Sequence, residues 1–384
     1  MKKDSKIYVA GHTGLVGSAL VKVLMNKGYQ KIVGKTFEEL DLRNSVSVKT
    51  FFEWEQPEYV ILAAAKVGGI IANNTYRGEF IYDNLMIQSN IIHQSYLTGV
   101  KKLLFLGSTC IYPRNCQQPM KEEYLLTGPL EYTNEPYAIA KITGIKMCES
   151  YNLQYGTNFI SVMPTNLYGP NDNFDLEKSH VLPALVRKIF LGKCLEDENW
   201  TAIRDDLNKR PIEGVSNKNC KEDIIQILKK YGIFINRNQV ITIELWGSGK
   251  PLREFLWSEE MADACIFVME HLNFADFVSA QDIQSNSLQN GNRPINDPDS
   301  MGPSDGAVNI AHLNIGSGKE IGIFELAHLI KRKIGFIGEL SFNTEKPDGT
   351  MRKLTDVTKL HNLGWKHKID IEEGTQKIID WYLN

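Results

Sequence analysis

The 384-residue sequence has no long apolar run, no clustered cysteines and no marked excess of charge. No stretch approaches the roughly 20 apolar residues of a membrane-spanning helix, so no membrane association is expected. The six cysteines lack CxxC spacing, which argues against a metal site and favours reduced thiols in a cytoplasm. A net charge of −3 provides no basic field for nucleic acid. The short polar start shows no signal-peptide pattern, so a cytoplasmic location is expected.

Short apolar segments alternate with helical segments through the first part of the chain. This alternation is typical of an α/β fold with a doubly wound parallel sheet of the Rossmann type. The pattern predicts strands at 7–10, 31–34, 59–63, 102–106 and 159–163. It predicts helices at 18–27, 46–54, 80–97 and 137–155.

The pattern changes near residue 173. We expect residues 1–172 to form a nucleotide-binding domain and 173–384 mainly a smaller α/β substrate domain. Segments around 241–265 and 308–316 are expected to return to the first domain. Two polar insertions, at about 196–238 and 275–306, interrupt the second. The first holds an amphipathic piece at 221–231, and the second is rich in Asn, Ser, Asp, Pro and Gly, as in a flexible loop.

A glycine turn with GxxGxxG spacing follows the first strand and precedes the first helix. Such a turn lets a pyrophosphate approach the free N–H groups of a helix N-terminus. We therefore predict a dinucleotide site that includes Gly11, Thr13, Gly14, Leu15, Val16 and Gly17. Lys35 follows the second strand, where NAD enzymes carry an acid, and its charge suits the 2′-phosphate of NADP. An ordinary exposed lysine is the alternative interpretation of that residue.

Tyr137 and Lys141 are four residues apart and share a face of a predicted helix. A nearby ammonium is expected to lower the pKa of the phenol, which then exchanges a proton with a carbonyl oxygen. Ser108 ends the fourth strand, at the sheet edge where such folds bind ligands. By itself the Tyr/Lys spacing is common on helix surfaces; with the glycine turn and Ser108 it predicts a hydride-transfer site.

Several longer motifs resemble those of the GDP-L-fucose synthase family, within the extended short-chain dehydrogenases/reductases. The similarity runs from residue 6 to near the C-terminus, outside the two insertions. It is carried by residues 63–70 (AAAKVGGI), 73–76 (NNTY), 107–113 (GSTCIYP), 134–141 (NEPYAIAK), 164–170 (PTNLYGP), 246–249 (WGSG), 253–255 (REF) and 346–350 (KPDGT).

The resemblance implies a homodimeric, NADP(H)-dependent 3,5-epimerase/4-reductase, with GDP-4-keto-6-deoxy-D-mannose as the leading substrate. It implies five catalytic residues, namely Ser108, Tyr137, Lys141, Cys110 and His180. It adds to the cofactor site Leu106, Gly107, Lys141, Pro164, Asn166, Leu167 and His180. The GDP-sugar would be held by Lys188, Trp246, Arg253 and Asp348. From the residues alone, Cys110 would be interpreted as a core thiol and His180 as a structural histidine, since both types are often buried; the resemblance reverses both interpretations.

Other functions stay open at this point. Thr13 stands where some members of the family carry an arginine that helps to bind the 2′-phosphate, so the preference for NADP depends more on Lys35. The insertions keep open the same chemistry on a GDP-4-keto-6-deoxy-heptose or a 3,6-dideoxyhexose. A reductase without epimerase activity is disfavoured by the presence of both Cys110 and His180. A non-catalytic nucleotide sensor on the same fold would have no need of Ser108, Tyr137 and Lys141.

Overall fold

The predicted alternation of strands and helices is present in the computed structural model, which describes residues 1–277, 312–346 and 348–384. Its strands are Lys6–Ala10 (β1), Lys31–Val33 (β2), Tyr59–Leu62 (β3), Lys102–Leu106 (β4), Phe159–Pro164 (β5), Asn166–Tyr168 (β6), Ile233–Ile235 (β7), Ile241–Trp246 (β8), Leu252–Trp257 (β9), His312–Ile315 (β10), Glu320–Gly322 (β11), Glu339–Asn343 (β12) and Arg352–Lys353 (β13). The five strands expected in the first 172 residues are all confirmed, with ends that differ by one residue at most.

The helices are Leu15–Asn26 (α1), Ser45–Glu55 (α2), Ile70–Thr75 (α3), Arg77–Leu97 (α4), Glu135–Tyr155 (α5), Val181–Glu196 (α6), Trp200–Lys209 (α7), Lys221–Lys230 (α8), Ser258–His271 (α9), Ile323–Ile334 (α10), Thr358–Asn362 (α11) and Ile371–Leu383 (α12). Short 3-10 helices lie at Thr109–Ile111, Glu122–Tyr124, Tyr132–Asn134 and Phe274–Phe277. Among the helices that the structure describes, none is both long and apolar enough to cross a bilayer.

The central sheet has six parallel strands in the spatial order β2-β1-β3-β4-β5-β10. The predicted doubly wound fold is thereby confirmed. The chain runs outward from β1 to β2 and then returns to place β3 on the other side of β1. This reversal opens a crevice at the carboxyl ends of β1 and β3, which is where such sheets bind nucleotides.

Alternating side chains along the strands bury both faces of the sheet, as a parallel sheet between helices requires. Ile7 and Val9 of β1 face a core shared with α1 and α9. Tyr8 and Ala10 face a second core shared with α2, α4 and α5. Helix α9 therefore packs on the six-stranded sheet although it lies late in the chain.

The remaining elements form a second unit beside this sheet. Strand β9 pairs with β11, β13 and β6, and β8 lies between β12 and β7. Helices α6, α10 and α12 cover these strands and share one apolar core with them. The residue at which the two domains divide remains a prediction. Strand β10 does return to the first sheet, within the expected segment 308–316. Of the other expected segment, 241–265, strands β8 and β9 lie in the second unit, and only the part in α9 packs on the first sheet.

The first expected insertion is folded and is fixed to the second unit. It forms α7, α8 and β7, and it buries Ile224, Ile227 and Leu228 while Ile225 remains exposed. The amphipathic piece expected at 221–231 is thus a helix with one apolar face, and Ile225 lies on its exposed side. The second expected insertion, at 275–306, lies outside the described residues apart from its first three.

A buried ion pair joins this folded insertion to the second unit. Arg187 of α6 donates to the Asp206 carboxylate of α7 at 2.8 and 3.0 Å, and both side chains are buried. Tyr382 of α12 donates to the other oxygen of the same carboxylate. A buried charge is tolerated only when it is paired in this way, so Asp206 connects three helices.

Candidate active site

The glycine turn lies in the crevice between β1 and β3. Gly11 has a φ of +83°, and a Cβ there would lie 2.8 Å from the backbone of Ala64, which follows β3. A Cβ on Gly17 would lie 1.9 Å from the carbonyl oxygen of Gly11. Only glycine fits either position, and the tight packing leaves the N-terminus of α1 open to a ligand. Because the first turn of α1 carries no acid, its N–H groups form a cradle suited to a pyrophosphate.

The end of β2 carries the residue expected to select the cofactor. Lys35 lies there half-buried and contacts the carboxylate of Glu39 at 3.3 Å. The backbone N–H of Thr36 donates to the same carboxylate at 2.8 Å, so Glu39 is held in place beside the lysine. Thr13 is exposed in the glycine turn. Lys35 is therefore a surface cation near the crevice, partly neutralised by Glu39.

The carboxyl end of β4 brings three of the predicted residues together. Leu106 is the last residue of the strand, and Ser108 caps the 3-10 helix that follows. The hydroxyl oxygen of Ser108 accepts a hydrogen bond from the N–H of Cys110 at 3.4 Å. The hydroxyl and the thiol thus belong to one short turn at the sheet edge.

Helix α5 places Tyr137 and Lys141 against this turn. The ammonium of Lys141 donates to the carbonyl oxygen of Leu106 at 2.7 Å, and it lies 5.7 Å from the centre of the Tyr137 ring. Lys141 is buried, and Tyr137 is half-buried in the first turn of the helix. Ser108 and Tyr137 are 29 positions apart in sequence, and the fold therefore brings them to the same edge of the sheet.

The expected lowering of the tyrosine pKa is wrong for this structure. Burial raises the pKa of Tyr137 well above the usual value for a phenol, and the neighbouring Cys110 raises it further. The reason is that the Lys141 ammonium is hydrogen-bonded to Leu106 and not to the phenol. Burial also lowers the pKa of Lys141 to about 8, so its charge is less secure than on the surface. The phenol therefore holds its proton at neutral pH, as a proton donor must.

Cys110 is a buried thiol, 7 % exposed, in the wall of a cavity beside the same sheet edge. Burial raises its pKa, while the hydrogen bond to Ser108 and the charges of Lys353 and Lys141 lower it. Sequence reasoning missed Lys353, because its motif ended at Thr350, three residues earlier. The sequence did show a lysine close to a recognised motif, which could have indicated Lys353. However, only the pairing of β13 with β9 brings this residue to the cavity.

His180 caps the N-terminus of α6, and its side chain reaches solvent. The surrounding protein lowers its pKa by partial desolvation. A cation is also unfavourable at a helix N-terminus, which acts in the same direction. The backbone just before His180 lies against Gly69 at the start of α3, since a Cβ on Gly69 would be 3.4 Å from the carbonyl oxygen of Lys178. Helix α3 in turn contacts the 3-10 helix Tyr132–Asn134 that leads into α5.

Three further predicted cofactor residues follow the neighbouring strand. Pro164 ends β5, which pairs with β4, and so lies on the same edge as Ser108. The side-chain amide of Asn166 donates to the carbonyl oxygen of Glu254 at 2.8 Å, which fixes β6 to β9. Leu167 is half-buried and packs on the core beneath α1.

The residues expected to hold the GDP-sugar lie on the second unit. Trp246 ends β8 and is 57 % exposed. Asp348 accepts hydrogen bonds from the N–H and hydroxyl of Ser248 at 2.8 and 2.7 Å, which lowers its pKa and fixes it to the turn after Trp246. Arg253 on β9 is attracted to Asp348, although burial lowers its pKa. Lys188 reaches β8 by donating to the carbonyl oxygen of Glu244 at 3.4 Å. All four thus lie around β8 and β9.

In the described part of the chain, no group of His, Cys, Asp and Glu side chains has the arrangement of a metal site.

The sequence was compared with protein families and with curated proteins. Residues 7–211 and 222–278 match the NAD dependent epimerase/dehydratase family. Over 381 residues, the chain is 45% identical to GDP-L-fucose synthase 1 of Arabidopsis thaliana, and the match covers 99% of this chain and 94% of the relative.

Solved structures from Campylobacter jejuni are similar over the whole chain. One is a GDP-6-OMe-4-keto-L-xylo-heptose reductase, with a TM-score of 0.86 and 44% identity over 100% of this chain and 98% of that one. Another is a GDP-D-glycero-L-gluco-heptose synthase solved in the presence of NADPH, with a TM-score of 0.80, 43% identity and the same coverage.

Proposed function

Because the chain belongs to the NAD dependent epimerase/dehydratase family, we propose that it is an NADPH-dependent 3,5-epimerase/4-reductase of a GDP-linked 4-keto-6-deoxy sugar. One observation carries the proposal: Ser108, Cys110 and the Tyr137/Lys141 pair meet at the carboxyl end of β4. A hydride-transfer site and a buried thiol thus adjoin the same edge. A non-catalytic nucleotide sensor would need neither.

Epimerisation depends on the ketone at C4, which acidifies the hydrogens on C3 and C5. The Cys110 thiolate removes one of these protons, so that the C–H bond breaks, an S–H bond forms and the electron pair moves to the ketone oxygen. His180 returns a proton to the opposite face of the carbon from its imidazolium form, which its lowered pKa makes a minor form at neutral pH but a stronger acid. The assignment of these two residues rests on the family resemblance.

Reduction uses the other three residues. NADPH, when bound at the glycine turn, would supply the hydride for C4. The phenol of Tyr137 donates its proton to the oxygen on C4, and Ser108 donates a hydrogen bond to the same oxygen. Lys141 orients the site through its bond to Leu106 and places a positive charge beside the developing oxyanion.

NADP(H) is the proposed form of the cofactor. The Gly11 and Gly17 cradle fits the pyrophosphate of either dinucleotide, so the choice depends on the end of β2. Lys35 offers a cation for the 2′-phosphate there, at the position where an acid would favour NAD. The similar heptose synthase was solved in the presence of NADPH, which supports the same choice.

GDP-4-keto-6-deoxy-D-mannose is the proposed substrate and GDP-L-fucose the product, as the name of the Arabidopsis relative suggests. Trp246, Arg253, Asp348 and Lys188 would hold the GDP portion. A 4-keto-6-deoxy-heptose linked to GDP is the second candidate, favoured by the similar heptose reductase. Nuclear magnetic resonance identifies the product formed from each of the two sugars, and the ratio of their kcat/KM values shows which sugar the enzyme prefers.

We propose a homodimer built from α4 and α5 of two copies. These helices pack on each other and leave large apolar side chains exposed, namely Tyr82, Leu97, Ile139, Leu153 and Tyr155. Sedimentation of the purified chain tests this assembly, and a monomer at micromolar concentration contradicts it.

The decisive experiment for the activity follows both half-reactions in deuterated water. The wild-type chain is expected to consume NADPH and to incorporate deuterium at C3 and C5 of the product. Cys110→Ala should suppress the incorporation without unfolding the chain. Normal exchange by that variant would exclude Cys110 as the base, and absence of both reactions in the wild type would refute the proposed function.

A further inference from the structure

Lys353 is held rigidly at the wall of the cavity that contains Cys110. It lies in the two-residue strand β13, and the next residue, Leu354, is fixed from both sides. The N–H of Leu354 donates to the side chain of Gln118 at 2.8 Å, and its carbonyl oxygen accepts from the N–H of Met120 at 2.7 Å. Gln118 and Met120 belong to the segment that continues from Cys110 and line the same cavity. The position of Lys353 relative to that segment is therefore set by the backbone.

The ammonium of Lys353 has no hydrogen bond or ion pair with any residue that the structure describes. Its side chain is largely surrounded by protein, and burial lowers its pKa. The adjacent Arg352, in contrast, is exposed and bound to Glu320 at 2.7 Å. A buried cation without a partner is costly, so Lys353 keeps its proton only if an anion inside the cavity stabilises the charge.

Cys110 is the titratable group best placed to become that anion. After burial, the charge of Cys110 has the largest effect on the pKa of Lys353, and it favours the charged ammonium. Conversely, Lys353 lowers the pKa of Cys110 more than Lys141 does. Lys141 already donates to Leu106, which leaves Lys353 as the cation without another partner.

The other charged and titratable groups around the pair act less directly. Glu131 lines the cavity, but its carboxylate caps the 3-10 helix before α5 by accepting from the N–H groups of Thr133 and Asn134. Arg253, on the neighbouring strand β9, lies opposite Lys353, and its positive charge repels the ammonium. The half-buried thiol of Cys116 also faces Lys353. The exposed Arg114, the Arg352 guanidinium and the Tyr137 phenol complete the surroundings.

We propose that Lys353 is a positioning residue for epimerisation, the cation that holds the Cys110 sulfur as a thiolate. Lys353 itself exchanges neither a proton nor electrons; it stabilises the charge that Cys110 carries before it takes the proton from carbon. The catalytic part of this inference rests on the proposed function, whereas the charge coupling between the two side chains does not.

The charge coupling is tested by alkylation without substrate. The rate of iodoacetamide reaction at Cys110 is measured against pH by mass spectrometry of the modified peptide, in the wild type, Lys353→Met and Lys353→Arg. The midpoint should rise by about one pH unit or more in Lys353→Met, since an opposite charge at close range shifts a pKa by roughly 1–3 units. Lys353→Arg should restore most of the shift. The exposed Cys220, at the N-cap position of α8, is the internal control and should not change.

The catalytic part is tested by deuterium exchange at C3 and C5. Lys353→Met should exchange slowly at neutral pH and recover as the pH rises. An unchanged Cys110 midpoint in Lys353→Met would overturn the proposal, whatever the activity. If the unchanged midpoint were accompanied by weaker GDP binding, Lys353 would be a nucleotide ligand instead. Failure of the wild type to exchange would instead refute the proposed function and leave the alkylation result intact.

Discussion

The ammonium of Lys141 donates a hydrogen bond to the carbonyl oxygen of Leu106 at 2.7 Å, and this bond ties α5 to the end of β4. Because Ser108 follows Leu106 by two residues, the bond also sets the distance between the serine turn and the helix that carries Tyr137. Lys141 thus makes its hydrogen bond to the backbone, and it affects the Tyr137 phenol only through its positive charge.

Tyr137→Phe is expected to abolish reduction and to leave proton exchange largely intact. The variant keeps the ring but removes the only proton that the phenol can donate, which typically costs about 10²- to 10⁴-fold in rate. NADPH consumption and deuterium at C3 and C5 are measured on the same sample. Tyr155→Phe, at the far end of the same helix, is the matched control. Loss of exchange together with reduction would show that Tyr137 is needed for both steps.

The rate of reduction is expected to fall as the pH rises through about 8, where Lys141 loses its proton. Unfolding is not the cause, because the pKa of Lys141 is lowered from 10.5 in the folded chain. Between about 8 and 10.5 the unfolded chain binds more protons at this group, so its contribution to stability increases with pH. Single-turnover hydride transfer measured against pH checks this. Lys141→Arg should move the decline to higher pH, and an identical profile would assign the decline to another group.

Gly17→Ala is expected to abolish cofactor binding, since its Cβ would lie 1.9 Å from the carbonyl oxygen of Gly11 and would force the turn apart. Quenching of protein fluorescence by NADPH measures the binding. Gly78→Ala is the control, because a Cβ there meets nothing within 4 Å in α4 and the helix gains roughly 0.5–1 kcal/mol. Normal NADPH affinity in Gly17→Ala would mean that the turn can relax without loss of the cradle.

Asp206→Ala is expected to destabilise the folded insertion, because it leaves the buried Arg187 without its partner. Such a loss costs about 3–5 kcal/mol. Urea unfolding and limited proteolysis within residues 196–238 are the measurements. Asp205→Ala, an exposed neighbour on the same helix, should have little effect on either. Equal stability of the two variants would show that the ion pair does not hold the insertion in place.

Much of the nucleotide-binding half could be predicted from residue order. The strand ends before Gly11 and at Leu106 follow from short apolar runs, and glycine spacing identifies the cradle because few other structures need it. The Tyr137/Lys141 spacing likewise places both side chains on one helix face. Within residues 196–238 only the amphipathic piece at 221–231 could be predicted, since the other side chains that pack inward, namely Ile203, Leu207, Ile212 and Ile233, are scattered among polar residues.

The sequence alone determined which residues are available for chemistry: Ser108, Tyr137 and Lys141 can be read from local patterns, because strand ends and helix spacing are local properties, whereas Cys110 was identified by the family resemblance. The tertiary structure decided their ionisation and their neighbours. Burial raises the pKa of Tyr137 where adjacency to a lysine predicted a decrease, and pairing of β13 with β9 brings Lys353 to Cys110 across 243 positions of sequence. Desolvation and long-range strand pairing depend on the whole packed chain, so no local pattern carries them.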